Sequence, residues 1–329
     1  MNSLVNEMKH LLLKTICFLV TIADSNLLFA SNDPANNVTF QEESKMTLPK
    51  RCVLFDKYHT RMTLAQTNPG NGYNWLFLAG GPGADSEYFN ELIEILDLPG
   101  NVWLIDLPEN GGNRENSEYK VDYDFNSLWE VSLKHVLKSM NNVILVGHSF
   151  SGLYPLLFPE IEKNLLGLVI ISSASRPWID QALKKAKIKN LPSFEKEMAE
   201  FLANKTPETF DKARKVFVYY YFTPETFDKG NEILFRGDFN FHAMNWWLSK
   251  APSIDFDSLL VPSIPTLIIG GSEDCAVPFE SYLEDERYRK SNISIKEIEG
   301  GSHFPWLEKP QEIKTLFHDY VKKISNKEG

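Results

Sequence analysis

Residues Val143-Ile144-Leu145-Val146-Gly147-His148-Ser149-Phe150-Ser151-Gly152 open on four consecutive apolar residues and then pass into a run of mostly small ones. An apolar run of that length reads as a buried strand, and the segment after it reads as the start of a helix. A serine held at such a junction, with small residues two before and two after it, has the pattern of a nucleophile elbow. The turn is so sharp that the two flanking positions nearly touch. That demand identifies the serine. Ser149 is flanked by Gly147 and Ser151, both small, whereas Ser151 would be flanked by Ser149 and Leu153, and the leucine would clash. Ser151 stands where a second glycine is usual, a change that a small side chain tolerates. Pro155 lacks the N–H that a helix interior uses, so a kink is expected soon after the elbow.

Outward from this point, further apolar runs of strand length lie at 75–78, 102–105, 168–171 and 266–269. Two shorter β-like runs, 51–56 and 58–66, precede them. Helix-like stretches at 86–96 and 125–139 fall between the earlier runs, the second with apolar residues at helical spacing. Continuous apolar strands alternating with amphipathic helices predict a mostly parallel sheet covered on both faces, an α/β fold. The alternation stops at Arg176 and resumes at Thr266. The stretch between is rich in Lys and Glu, then strongly aromatic at Phe217-Val218-Tyr219-Tyr220-Tyr221-Phe222 and at 239–248. Residues 176–260 therefore read as a helical cap over an active site, inserted into a core of residues 47–175 and 261–326.

A serine hydroxyl needs an adjacent general base to act near neutral pH. Downstream of Ser149, the run 266–269 leads into Gly270-Gly271-Ser272-Glu273-Asp274-Cys275, and a carboxylate just past a strand's C-terminal end shares the sheet edge with the elbow. Asp274 is the expected acid and Glu273 the alternative. His303, in the glycine-rich stretch Gly300-Gly301-Ser302-His303-Phe304-Pro305, is the expected base. Of the other histidines, His148 reads as a buried neighbour of the nucleophile, and His242, in the cap, as either a packing residue or a substrate contact. An oxyanion needs two donors. The amide of Phe150 is one, and the loop Ala79-Gly80-Gly81-Pro82-Gly83 offers Gly81 as the other. Tyr220, Trp246 and Trp247 join His242 as candidate substrate-binding residues, which would favour an apolar acyl or leaving group; core of the cap is the alternative for these aromatics.

With these motifs in the order serine, acid, histidine, the chain resembles the α/β-hydrolase superfamily from about residue 47 to 320. The resemblance implies a mostly parallel central sheet flanked by helices, with the helical cap inserted before the acid-bearing strand. It also implies catalysis by Ser149, Asp274 and His303. The Gly80-Gly81-Pro82-Gly83 loop is similar to that of proline iminopeptidases and their relatives. Two features depart from that pattern. Ala79 stands where the loop usually begins with His, and Asp106-Leu107-Pro108-Glu109-Asn110-Gly111-Gly112 keeps the usual Asp but shifts the glycines.

Composition narrows the function classes. With 34 Lys+Arg against 44 Asp+Glu, the net charge of −10 and the lack of a basic run argue against nucleic acid as a partner. No stretch reaches eighteen consecutive apolar residues, so no stable membrane span is expected once a leader is removed. No H-E-x-x-H, P-loop or G-x-G-x-x-G motif follows a strand, so neither a metal nor another cofactor is expected. At the N-terminus, Lys9, His10 and Lys14 precede the apolar run 15–23, with small residues following. Residues 1–30 thus read as a signal peptide and 31–46 as a linker, implying an exported protein; a frayed terminal helix of a cytoplasmic one is the alternative. Cys52 and Cys275 are not expected to pair. The expected partner is a small-molecule or short-peptide substrate, and oligomeric state is left open. Three functions are consistent with these residues: a serine hydrolase of esters, thioesters, lactones or amides, a proline iminopeptidase-like aminopeptidase, and a non-catalytic ligand-binding protein on a hydrolase scaffold.

Overall fold

The computed structural model describes residues 53–70, 72–113 and 124–325. The expected leader and linker, with Cys17 and Cys52, lie outside the described residues. Eight strands are described: β1 (Val53–Phe55), β2 (Arg61–Asn68), β3 (Asn74–Leu78), β4 (Gly100–Asp106), β5 (Val143–His148), β6 (Gly167–Ile171), β7 (Thr266–Gly271) and β8 (Ile293–Ile298). They form one sheet in the order β1-β2-β4-β3-β5-β6-β7-β8. β2 runs antiparallel to both β1 and β4, and the remaining pairs are parallel.

The apolar runs are continuous because the inner strands are buried on both faces. Leu76, Leu78, Leu145, Leu168, Ile170 and Ile268 enter one core, while Trp75, Phe77, Ile144, Val146, Val169 and Ile269 enter the other. Fully burying one such side chain contributes about 1.5–3 kcal/mol. β8 does not stand out in the sequence. Its residues Ile293-Ser294-Ile295-Lys296-Glu297-Ile298 mix apolar with charged positions because it pairs only with β7 and leaves Lys296 and Glu297 exposed.

The helix Phe125–Ser139 forms where its spacing predicts, with Trp129, Leu133, Val136 and Leu137 buried along one stripe and Asp124 accepting from the Asn126 N–H at its start. The stretch 86–96 splits into a 3₁₀ turn, Ser86–Phe89, and a helix, Asn90–Ile95. The helix after the elbow is a single turn, Phe150–Leu153, followed by a 3₁₀ turn, Tyr154–Leu157, that contains Pro155. The missing proline N–H accounts for the break.

Between β6 and β7 lie five helices: Ile179–Ile188, Glu195–Ala203, Pro207–Tyr221, Phe227–Arg236 and Phe241–Lys250. The longest starts with Pro207 at its first position behind a Thr206–Thr209 capping box. Because β3, β5, β7 and β8 are parallel, the loops that follow them emerge at one edge of the sheet. These are the loops that carry Gly81, Ser149, Asp274 and His303.

Candidate active site

The elbow has the strained geometry its sequence implies. Ser149 sits at φ 56° and ψ −119°, a region that side-chain-bearing residues rarely occupy. A Cβ built on Gly147 would lie 2.0 Å from the Ser151 carbonyl oxygen, so the close approach of the two flanking positions is real. The turn is anchored from behind by the Ser149 N–H, which donates to the Ile171 carbonyl at 2.8 Å. Ser151 uses its departure from glycine: its hydroxyl donates to the Ala79 carbonyl and ties the elbow to the loop after β3.

Opposite the elbow, Asp274 is fully buried. Its Oδ1 accepts from the N–H groups of Ala276 and Val277 at 2.8 and 2.9 Å, and its Oδ2 meets His303 Nδ1 at 2.7 Å. The acid and histidine loops are pressed together. A Cβ on Gly271 would fall 2.1 Å from the Gly301 oxygen, and the Glu273 N–H donates to that same oxygen at 2.8 Å. Glu273 itself turns outward to Lys189. The geometry therefore favours Asp274 over Glu273 as the partner of His303. Ser149 and His303 border one cavity of about 250 Å³, without a direct hydrogen bond between them; such contacts are commonly long before substrate binds.

His148 is buried beside this pair, and its hydrogen bonds define its tautomer. Nε2 lies 2.9 Å from the His303 carbonyl oxygen, which can only accept, so Nε2 carries the proton. Nδ1 then accepts from the Tyr88 hydroxyl at 2.8 Å, and that hydroxyl in turn accepts from the Gly80 N–H at 2.6 Å. Burial, and next the nearby His303, hold His148 well below the usual imidazole range, so the ring stays neutral. Burial also pushes the Tyr88 phenol up, keeping it a donor. A single chain of donors and acceptors thus links the loop at Gly80 to the backbone of His303.

Gly81 lines the cavity at φ 112°, and a Cβ on Gly80 would lie 3.0 Å from Ser149 Cβ, so this loop abuts the serine. Phe150 turns its ring into the core against Trp129 and Trp247 and leaves its N–H as the first of a helix.

The four residues expected to touch substrate from the helical segment do not border the cavity. Tyr220 is buried, with its hydroxyl donating to the Pro192 carbonyl at 2.9 Å and its ring stacked on Phe217. His242 is exposed. Trp246 packs edge-on to Trp129, and Trp247 is buried against Phe150. Trp246 and Trp247 pack on the core beneath the inserted helices, where large aromatic surface is most readily buried. The cavity is bordered instead by Phe210, Arg214, Tyr221, Leu234 and Phe239.

Tyr221 belongs to the aromatic stretch 219–221 that the sequence places over the site, although Tyr220 is the member of it chosen as substrate-binding. The Tyr221 ring centroid lies 4.9 Å from that of His303, its carbonyl accepts the His303 N–H at 3.1 Å, and the neighbouring Tyr220 carbonyl accepts the Cys275 N–H at 3.2 Å. The helix Pro207–Tyr221 thus satisfies two of its terminal carbonyls with amides of the histidine and acid loops. Tyr88 was missed, being an ordinary apolar position of the 86–96 stretch.

Comparison with known proteins agrees with this architecture. The sequence profile described as the alpha/beta hydrolase family matches residues 75–315, and the chain belongs to that family. No curated protein sequence matches it. Among solved structures it is similar to an alpha/beta fold family hydrolase from Bacillus anthracis str. Sterne, with 15% identity and a TM-score of 0.60 over 82% of this chain and 98% of that one. An esterase from Exiguobacterium antarcticum aligns at 16% identity and a TM-score of 0.58, covering 80% and 96%. A proline iminopeptidase from Mycobacterium smegmatis aligns at 18% and 0.57, covering 84% and 99%. At these identities the likeness is one of fold.

Proposed function

We propose that the protein is a serine hydrolase that cleaves an ester, thioester, lactone or amide of small to medium size through an acyl-enzyme. The observation that carries this reading is the buried Asp274–His303 pair at 2.7 Å, which opens onto the same cavity as a serine in the strained elbow conformation. In this reading Ser149 Oγ attacks the carbonyl carbon and its proton passes to His303 Nε2. Asp274, bonded to Nδ1, holds the ring orientation and stabilises the imidazolium. The amides of Gly81 and Phe150 receive the oxyanion. The imidazolium then protonates the leaving group, and a water molecule repeats the sequence to release the acid.

Incubation with a fluorophosphonate followed by intact-mass measurement tests the reading. A single adduct on the wild type and none on Ser149→Ala is expected; no adduct on the folded wild type would sink the mechanism and move a ligand-binding role ahead. An aminopeptidase would need an ionised carboxylate free to hold an α-amino group. Around the cavity, Asp85 is taken up by the Glu87 N–H, Glu87 faces Arg61 at 3.9 Å, and Asp238 lies exposed at the rim, where it is the carboxylate an aminopeptidase would use; the ester-type reading needs no such group and is preferred. Turnover of a prolyl arylamide but not of simple esters would reverse that preference. Export rests on the run at residues 15–23, and sequencing the mature N-terminus of the natively expressed protein tests it.

A further inference from the structure

Arg214 borders the cavity that holds Ser149 and His303. Its guanidinium lies 3.9 Å from the ring centroid of Phe235 and 5.0 Å from that of Phe239. Nη2 donates to the Leu234 carbonyl at 3.3 Å. No carboxylate pairs with it among the described residues, although a guanidinium carries five N–H donors. Burial, the largest influence, lowers its pKa from the ordinary arginine value and outweighs the nearby charge of Asp211, which itself pairs with Lys215 at 2.9 Å. The two rings hold the cation in place by stacking and supply part of what lost hydration removes. A sheltered guanidinium with unused donors has the chemistry of a carboxylate receptor.

Its position relative to the chemistry follows from the helix Pro207–Tyr221. Arg214 and Tyr221 are seven residues apart and share one face, about 10 Å along the axis. Tyr221 packs on His303. The other charged residues around the cavity are Asp85, which accepts the Glu87 N–H at 2.8 Å, Glu87, which faces Arg61, Arg236, which pairs with Glu91 at 3.0 Å, and Asp238, which is exposed at the rim.

We propose that Arg214 binds a carboxylate carried by the substrate at the part of the cavity away from the scissile carbonyl, so that the enzyme selects monoanionic esters or amides over neutral ones. This inference rests on the serine-hydrolase reading above and adds the substrate class.

The test compares kcat/KM for mono-p-nitrophenyl suberate, with its carboxylate on the acyl side, against its methyl-capped neutral diester. 6-Acetoxyhexanoate against its methyl ester places the carboxylate on the alcohol side. In wild type at least one anionic member is favoured about tenfold or more, through KM, and Arg214→Gln erases that ratio while Arg214→Lys keeps part of it. A ratio that is the same in wild type and Arg214→Gln on both pairs overturns the proposal. Binding is read separately in Ser149→Ala by calorimetry with monomethyl suberate and 6-acetoxyhexanoate. At least one is expected to bind and to lose about tenfold in affinity when Arg214→Gln is added. Absence of binding, or binding indifferent to Arg214, also overturns it. Anion binding without turnover or a fluorophosphonate adduct would instead reject the hydrolase reading and leave Arg214 as the receptor.

Discussion

On the sheet side of the cavity, Gly80, Tyr88, His148, His303 and Asp274 are joined in one run of hydrogen bonds, whereas the helical side is largely apolar, with Phe210, Leu234 and Phe239 around Arg214. The first side is held by directional bonds between loops that emerge at one edge of the sheet. The second is held by packing, which tolerates substitution of one apolar residue by another of similar volume. Chemistry that depends on placement within a fraction of an ångström belongs on the former; recognition that can vary belongs on the latter.

The largest effect that would sharpen this contrast comes from the sheet side. Ser149→Ala and Asp274→Asn are each expected to lower kcat by about 10⁴-fold or more while circular-dichroism melts change little. Normal turnover in either would break the contrast outright. On the helical side, Trp247→Ala is expected to cost about 3–5 kcal/mol of unfolding free energy in a denaturant titration, because Trp247 is core against Phe150 and not substrate wall. A rise in KM without that loss of stability would restore Trp247 to the substrate site. Tyr88→Phe removes both the acceptor of the Gly80 N–H and the donor to His148. It is expected to lower kcat about tenfold with little change in KM, read by steady-state kinetics on any ester the enzyme turns over.

A further effect is one of pH. Asp106 is buried beneath the loop after β3, where its Oδ1 accepts the Ser86 N–H at 2.8 Å and Arg61 lies 3.2 Å from its Oδ2. Burial, and then the charge of Asp85, push its carboxyl from 3.8 up to about 7. The folded state therefore holds a proton that the unfolded state releases between those values. This group makes stability fall as pH rises through that window and then level off. Melting temperatures of wild type and Asp106→Asn across it should show a shallower decline in the variant.

The same contrast decides what could be read from sequence. The elbow was legible because its requirement is local: Gly147 and Ser151 must both be small since their backbones meet, and only neighbours in sequence are involved. Asp274 and His303 were legible because a parallel sheet delivers its loops to one edge in chain order. Tyr220, Trp246 and Trp247 were misjudged because an aromatic residue on a helix looks alike whether its face meets a cavity or a neighbouring helix. That choice is made by the docking of the whole segment, through contacts such as the Tyr221 carbonyl with the His303 N–H. β8 went unnoticed for a related reason, since an edge strand half exposed to water lacks the continuous apolar run of its neighbours.

The backbone of Ser149 carries a further consequence. A side-chain-bearing residue at φ 56° and ψ −119° costs of order 1–3 kcal/mol, which the surrounding bonds must outweigh. Glycine at this position would relieve that strain and remove the hydroxyl together. Heat tolerance and the proposed reactivity are thus opposed at one residue, and selection for thermal robustness alone would tend to erase the proposed nucleophile.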